Sequence, residues 1–231
     1  MWRDADTAIG GNRDRFPSTQ LSLIEAAAGE PLALEQVAAL YWKPVYQFIR
    51  IKFGKSNEEA KDVTQGFFAS ALEREFFQRF DPSKAGFRTY LRLAVERFAA
   101  TRHEAETRQK RGGGAEAVAL EETIASAESP EEVFFQEWRR QLFVLAIEEL
   151  RAECVTSGRN TEWAVFENYD LAEDERPGYA ELARLHGIKE SAVTNYLAWA
   201  RRRLRALVTA RLRGVTSGPG ELRQELRSLW S

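Results

Sequence analysis

The chain has 231 residues, 44% of them hydrophobic and 29% charged, a formal net charge of −2 and a single cysteine, Cys154. That length accommodates one large domain or two small ones with a core in each, and one cysteine excludes an internal disulfide framework. No apolar run approaches the roughly 20 residues a bilayer span needs, and the opening MWRDADTAIGGNRDRF has no apolar stretch behind a basic start; neither a membrane span nor a secretory signal is expected, and the expected compartment is the cytoplasm.

The pattern is helical almost throughout, with seven prolines and no period-2 stretch. Residues 1–17 are polar and read as loose. Residues 20–28 form a candidate short helix ended by Gly29, Glu30 and Pro31. Over 34–53, Leu34, Val37, Ala38, Tyr41, Val45, Phe48, Ile49 and Phe53 fall three and four apart on one helical face, and Gly54 is a suitable C-cap. Ser56 is an N-cap for the next helix, with Glu58 and Glu59 favourable in its first turn. That helix runs to about residue 75 and turns Ala60, Val63, Phe67, Phe68 and Leu72 inward. Asp81-Pro82-Ser83 is a turn, and a long helix follows over 87–111.

Gly112-Gly113-Gly114 breaks the pattern, and residues 112–130 are rich in Gly, Ala and Glu. Ser129 caps a helix that starts at Pro130 and carries Val133, Phe134, Trp138, Leu142, Leu145, Ile147 and Leu150. Further helices are expected over 162–171, 179–185 and 190–212, with a loop over 174–178. After a break at 214–220, residues 221–230 form a short amphipathic tail. Its Leu222, Leu226, Leu229 and Trp230 make an apolar stripe suited to fold back on either half of the chain and regulate it. The expected architecture is all-α: an N-terminal extension (1–32), a helical domain (33–111), a flexible acidic linker (112–130), a second helical domain (131–213) and the tail (214–231).

Charge is segregated along the chain. Residues 191–213 hold six arginines and no acid, and residues 86–111 hold seven Lys/Arg against three Glu. Residues 115–137 hold seven Glu and no base, and residues 162–175 six acids and no base. Such alternation suits either separate surfaces for separate partners or ordinary solvated helix faces.

The segment 178–206 reads as a helix-turn-helix. Tyr179, Leu182, Ala183 and Leu185 bury the first helix, and small Ala183 lets the second approach. Gly187 sits where the turn needs positive φ, and Ile188 plugs the corner. Val193, Leu197, Ala200, Leu204 and Leu207 bury one face of the second helix. The other face presents Ser191, Thr194, Asn195, Ala198, Trp199, Arg201, Arg202 and Arg205. Asn pairs with adenine, Arg with guanine, and Ala or Thr touches a thymine methyl in a major groove. The later arginines suit phosphates. Trp199 either stacks on sugar or base or covers core at the helix edge.

With those residues read, the chain resembles the extracytoplasmic-function (ECF) sigma factors of RNA polymerase, over roughly residues 34–213. Tyr179-Ala180-Glu181-Leu182-Ala183, Gly187, and Val193 through Leu204 are similar to the sigma-4 helix-turn-helix. Tyr41-Trp42-Lys43-Pro44-Val45-Tyr46, Glu59 through Phe68 with its Asp62-x-x-Gln65 and Phe67-Phe68, Phe87-Arg88-Thr89-Tyr90-Leu91, and Lys110 through Gly114 are similar to sigma-2. The resemblance implies two helical domains, sigma-2-like and sigma-4-like, no enzymatic activity and no cofactor. It implies core RNA polymerase as partner, with Asp62 and Gln65 on the clamp helices of the largest subunit and the sigma-4-like domain on the flap. It implies −35 recognition by residues 191–205 and opening of the −10 element by residues 87–111. There Arg88, Arg92, Arg97, Arg102, Arg108, Lys110 and Arg111 supply charge and Phe98 a stacking surface, with Tyr90 assigned mainly to core.

A short turn near 95–99 resembles the loop that captures a flipped base. Glu96 stands where relatives often carry Asn; it either accepts from an amino group, as on cytosine, or points away from DNA. Lys61 stands where relatives often carry an acid. Thr64 lies inside the docking motif, and phosphorylation there would add about −1.5 to −2 charge, so a Ser/Thr kinase and an anti-sigma factor are candidate regulators. The acidic linker would thread toward the polymerase cleft. The competing reading is a helix-turn-helix regulator that never touches polymerase. His103 and His186 lie far apart in sequence, and no metal-ligand spacing or phosphate-binding loop appears.

Overall fold

The structure is a computed structural model that describes residues 22–73, 76–112, 129–173 and 175–230. Among the described residues the regular structure is all helix: α1 (Ser22–Ala26), α2 (Pro31–Phe53), α3 (Asn57–Glu73), α4 (Phe87–Gly112), α5 (Pro130–Thr156), α6 (Asn160–Asp170), α7 (Tyr179–His186), α8 (Glu190–Val215) and α9 (Pro219–Trp230). No described helix is long and apolar enough to cross a membrane.

Local chemistry sets most of these boundaries. Gly54 ends α2 at φ 57°, ψ 37°, its N–H returning to the Arg50 carbonyl. Ser56 accepts from the Glu59 amide at 3.3 Å while Glu59 accepts from the Ser56 amide at 2.9 Å, a capping box ahead of α3. Ser129 and Glu132 repeat that arrangement at α5, with Pro130 beside the cap. Asp81 Oδ1 accepts from both the amide and the hydroxyl of Ser83 and makes the turn before α4.

Helix α2 is the spine. Val37, Tyr41, Val45, Phe48 and Ile49 are wholly buried on it. Tyr41 meets Phe87 of α4 edge-on at 5.6 Å, and Phe48 meets Phe134 of α5 edge-on at 5.9 Å. The same core therefore continues through Phe134, Trp138, Leu142 and Leu150 of α5 to Val208 and Leu212 of α8 and Trp163 and Phe166 of α6. Ion pairs cross the same joint: Lys52 reaches Glu131 at 3.1 Å and Arg92 reaches Glu131 at 3.3 Å, while Lys52 also reaches Glu96 of its own half at 2.7 Å. The two halves of the chain thus share one core in this arrangement. The N-terminal extension up to residue 21 and the linker over 113–128 fall outside the described residues.

Three local expectations are corrected. Leu72 is 54% exposed and neighbouring Ala71 is buried in its place, because one residue turns a helix by a little over a quarter circle. Leu185 is 65% exposed, so Leu182 and Ala183, with half-buried Tyr179 beside them, seal α7. Helix α8 runs through Gly214 to Val215 rather than breaking there. Gly214 faces α1, where an added Cβ would lie 3.2 Å from Leu23 Cβ, so glycine permits that close crossing.

Candidate nucleic-acid interface

Helices α7 and α8 cover the expected helix-turn-helix over 178–206, with α6 packed behind them. Gly187 caps α7 in the left-handed region at φ 63°, ψ 33°. The Ile188 amide donates to the Ala183 carbonyl at 2.9 Å, closing the turn in the Schellman manner. Leu182 and Ala183 of α7 and Val193, Leu197 and Ala200 of α8 are buried. Behind them Tyr179 meets Tyr169 of α6 at 5.2 Å, and His186 Nε2 lies 3.2 Å from Asn168 Nδ2.

On α8, Ser191, Thr194, Asn195, Arg202 and Arg205 are exposed and Ala198 is half-buried. At about 100° per residue these six fall on one face. Their neighbours have structural duties. Arg201 grips the Asp170 carboxylate of α6 with two contacts of 2.8 Å, which raises its already high pKa. Arg203 grips Glu153 of α5 in the same two-pronged way, and that pairing holds the Glu153 carboxyl below its usual range. Trp199 is half-buried on the Arg203 flank, its ring 4.6 Å from the Arg159 guanidinium. It packs against the core at the helix edge and leaves part of its ring exposed.

The residues expected at a −10 surface are divided by α4. The expected turn near 95–99 is absent: α4 is helical without interruption from Phe87 to Gly112. Its inner side carries Arg88, Arg92 and Glu96 to the joint between the halves. Arg88 lies 2.8 Å from Glu225 of α9 and 4.5 Å from the rings of both Phe135 and Trp138. Arg92 and Glu96 belong to the Lys52–Glu131 cluster. These three side chains are spent on packing the halves together and do not face solvent DNA in this arrangement. Arg97, Arg102 and Arg108 are exposed on other sides, and the side chains of Lys110 and Arg111 lie outside the described residues.

Beside Arg97 and Arg102 the α3–α4 surface opens into a groove of about 730 Å³. Its floor is aromatic. Phe67 meets Phe98 at 5.8 Å and Phe76 at 5.7 Å, and Phe76 stacks on Tyr90 at 4.8 Å. The Tyr90 hydroxyl donates to the Phe76 carbonyl at 2.9 Å, and burial pushes its pKa up. Arg79, Arg97 and Arg102 stand along the groove, with Arg102 5.9 Å over the Phe98 ring. Gly66 makes room for that arginine, since an added Cβ would come 2.5 Å from Arg102 Nη1. Aromatic surfaces rimmed by arginines can stack a base and hold its phosphate. Phe76 and Arg79 were not among the sequence candidates, and Phe67 was read only as core and motif, because they share a groove with Phe98 only when α3 and the turn after it lie along α4.

The outer side of α3 presents Glu58, Asp62, Gln65, Ala69 and Leu72, all exposed. Lys61 pairs with Glu58 at 2.9 Å and also feels the charge of neighbouring Asp62. Asp62 and Gln65 are one turn apart on this side, with an exposed leucine beyond them. Thr64 behaves otherwise. It is fully buried, and its hydroxyl donates to the Ala60 carbonyl at 2.7 Å. The expectation of a phosphorylation position at Thr64 is therefore corrected: the hydroxyl faces the core and is occupied.

No protein-family model, curated protein or solved structure matches this chain.

Proposed function

We propose that the chain is a promoter-specificity subunit of RNA polymerase, of the sigma type, acting in the cytoplasm. Helix α8 reads the −35 duplex through Ser191, Thr194, Asn195 and Ala198, with Arg202 and Arg205 on phosphates and Arg201 anchoring α6 beside them. The α3–α4 groove holds unpaired −10 bases on Phe98 and its aromatic neighbours, with Arg97, Arg102 and Arg108 along the strand. Asp62 and Gln65 on the outer side of α3 engage arginines of the polymerase clamp helices, as a carboxylate and an amide can, while the helix-turn-helix domain meets the flap. There is no covalent chemistry in this role.

What supports the proposal is the coexistence of two different arginine-bearing surfaces on one chain: a polar-then-basic helix suited to a duplex and an arginine-rimmed aromatic groove suited to a single strand. A duplex-reading regulator needs only the first. Run-off transcription with core polymerase on genomic fragments tests it. Promoter-dependent transcripts that vanish with Asp62→Lys and lose promoter selectivity with Asn195→Ala are the expected result, and failure of core polymerase to retain the chain in a pulldown refutes it.

One observation favours the second reading, a helix-turn-helix regulator that does not bind polymerase. The halves share a core, and Arg88, Arg92 and Glu96 are engaged at their joint. On that reading the N-terminal helices are a scaffold for α8. The same pulldown separates the two.

A further inference from the structure

The tail helix α9 was open-ended in sequence: an apolar stripe with two possible docking places. It docks on three helices at once. Leu229 and Glu225 are buried. Glu225 Oε2 meets Arg88 of α4 at 2.8 Å, with the two side chains only 26% and 11% exposed. Glu221 lies against Gly86 at the start of α4, where any Cβ would collide with its carboxylate. On α5, Arg139 donates to the Leu229 carbonyl at 3.3 Å and Phe143 meets the Trp230 ring edge-on at 5.4 Å. On α8, the Arg205 guanidinium sits 4.9 Å from the Trp230 ring centre.

Two of the arginines engaged in this way, Arg88 and Arg205, come from the two separate basic segments of the chain. One is enclosed by Glu225, Phe135 and Trp138; the other stays exposed, with its guanidinium 4.9 Å from an indole ring. A phosphate reaching Arg88 must displace a carboxylate in a site with little access to water, where the ion pair is poorly screened. The same contacts pin α4 to α5, so they also hold shut the joint that contains Arg92 and Glu96.

We infer that α9 is an intramolecular brake on nucleic-acid binding, a docked helix that withholds Arg88, competes for the guanidinium of Arg205, and must leave before the inner side of α4 becomes available. The inference rests on the nucleic-acid reading above and adds its regulation. Mass action requires that whatever binds the released form favours release, and that loosening α9 strengthens binding to the same extent.

The test uses the full chain with two independent changes, Glu225→Gln and Trp230→Ala. The second removes a side chain that is 43% exposed at the end of the helix, so the core stays closed. Binding is read by fluorescence anisotropy with a labelled mixed-sequence duplex and a labelled single strand. Each variant is expected to bind about tenfold more tightly than the parent chain, within the usual range of coupling between sites. In the parent chain, amide hydrogen exchange over residues 219–230 is expected to speed up when duplex is added. Equal affinities for parent and variants, or α9 protection unchanged with DNA bound, overturn the brake while leaving DNA binding intact. Absence of binding by parent and variants alike overturns the nucleic-acid reading and the brake with it.

Discussion

Replacing Phe134 with alanine tests whether the two halves are one cooperative unit. Phe134 is 2% exposed on α5 and meets Phe48, which is wholly buried on α2. Deleting a buried phenylalanine ring costs about 3–5 kcal/mol, part lost transfer energy and part cavity. For a chain of this size each kcal/mol lowers the melting temperature by about 2–4 °C, so the transition should fall by about 6–20 °C. Val155→Ala on the same helix, at a side chain 61% exposed, should fall within about 0.5 kcal/mol of the parent. The decisive measurement is native-state amide exchange in both variants. If the core is continuous, Phe134→Ala lowers protection in α3 and α8 together, because their stability is that of the shared core. Loss of protection in α6–α8 alone, with α3 and α4 unchanged and unfolding in two steps, would refute the single-core argument.

Gly187→Ala should cost about 1–2 kcal/mol, the left-handed backbone penalty alone, because nothing lies within 4 Å of the added Cβ; a urea titration that leaves the parent midpoint unmoved would show the turn does not need that conformation. The Glu153 and Glu131 carboxyls are held low by Arg203 and Lys52 respectively, so the stability they contribute is present above the ordinary Glu value of about 4.3 and is lost as pH falls through their depressed native values. Denaturation midpoints should therefore drop on acidification, and Glu153→Gln should flatten the drop; superimposable pH curves would contradict the assignment. Asn195→Ala should relax discrimination at one base pair by about 1–3 kcal/mol. Arg202→Ala should weaken binding to every duplex alike and reduce the salt slope by about one. Competition binding across a salt series reads both, and a sequence-dependent loss for Arg202→Ala would move it from phosphate to base.

Helix positions and their punctuation were legible along the chain because they depend on near neighbours. Gly54, Ser56, Ser129 and Gly187 act within four residues of where they stand, and the apolar spacing of α2, α5 and α8 names the buried faces directly. The polar face of α8 followed from the same periodicity. Errors came where a residue lies at the margin of a face: Leu72 and Leu185 belong by spacing and are exposed because no helix covers them. A hydroxyl such as that of Thr64 gives no sign in sequence of whether it points to solvent or to a carbonyl one turn back.

Composition and periodicity were enough to place nine described helices, the caps at Gly54, Ser56, Ser129 and Gly187, and the polar face of α8, since each is a property of a few consecutive residues. Packing alone decided how charge is spent. Arg88, Arg92, Arg97 and Arg102 look alike along α4, yet the first two are bound at the joint with α5 and α9 and the last two stand along an aromatic groove. The difference lies in partners at distant positions: Glu225 is 137 residues from Arg88, and Glu131 is 39 from Arg92. An ion pair or a stacked ring has an energy only once both members are brought together, and the chain's own periodicity carries no record of which helices will meet.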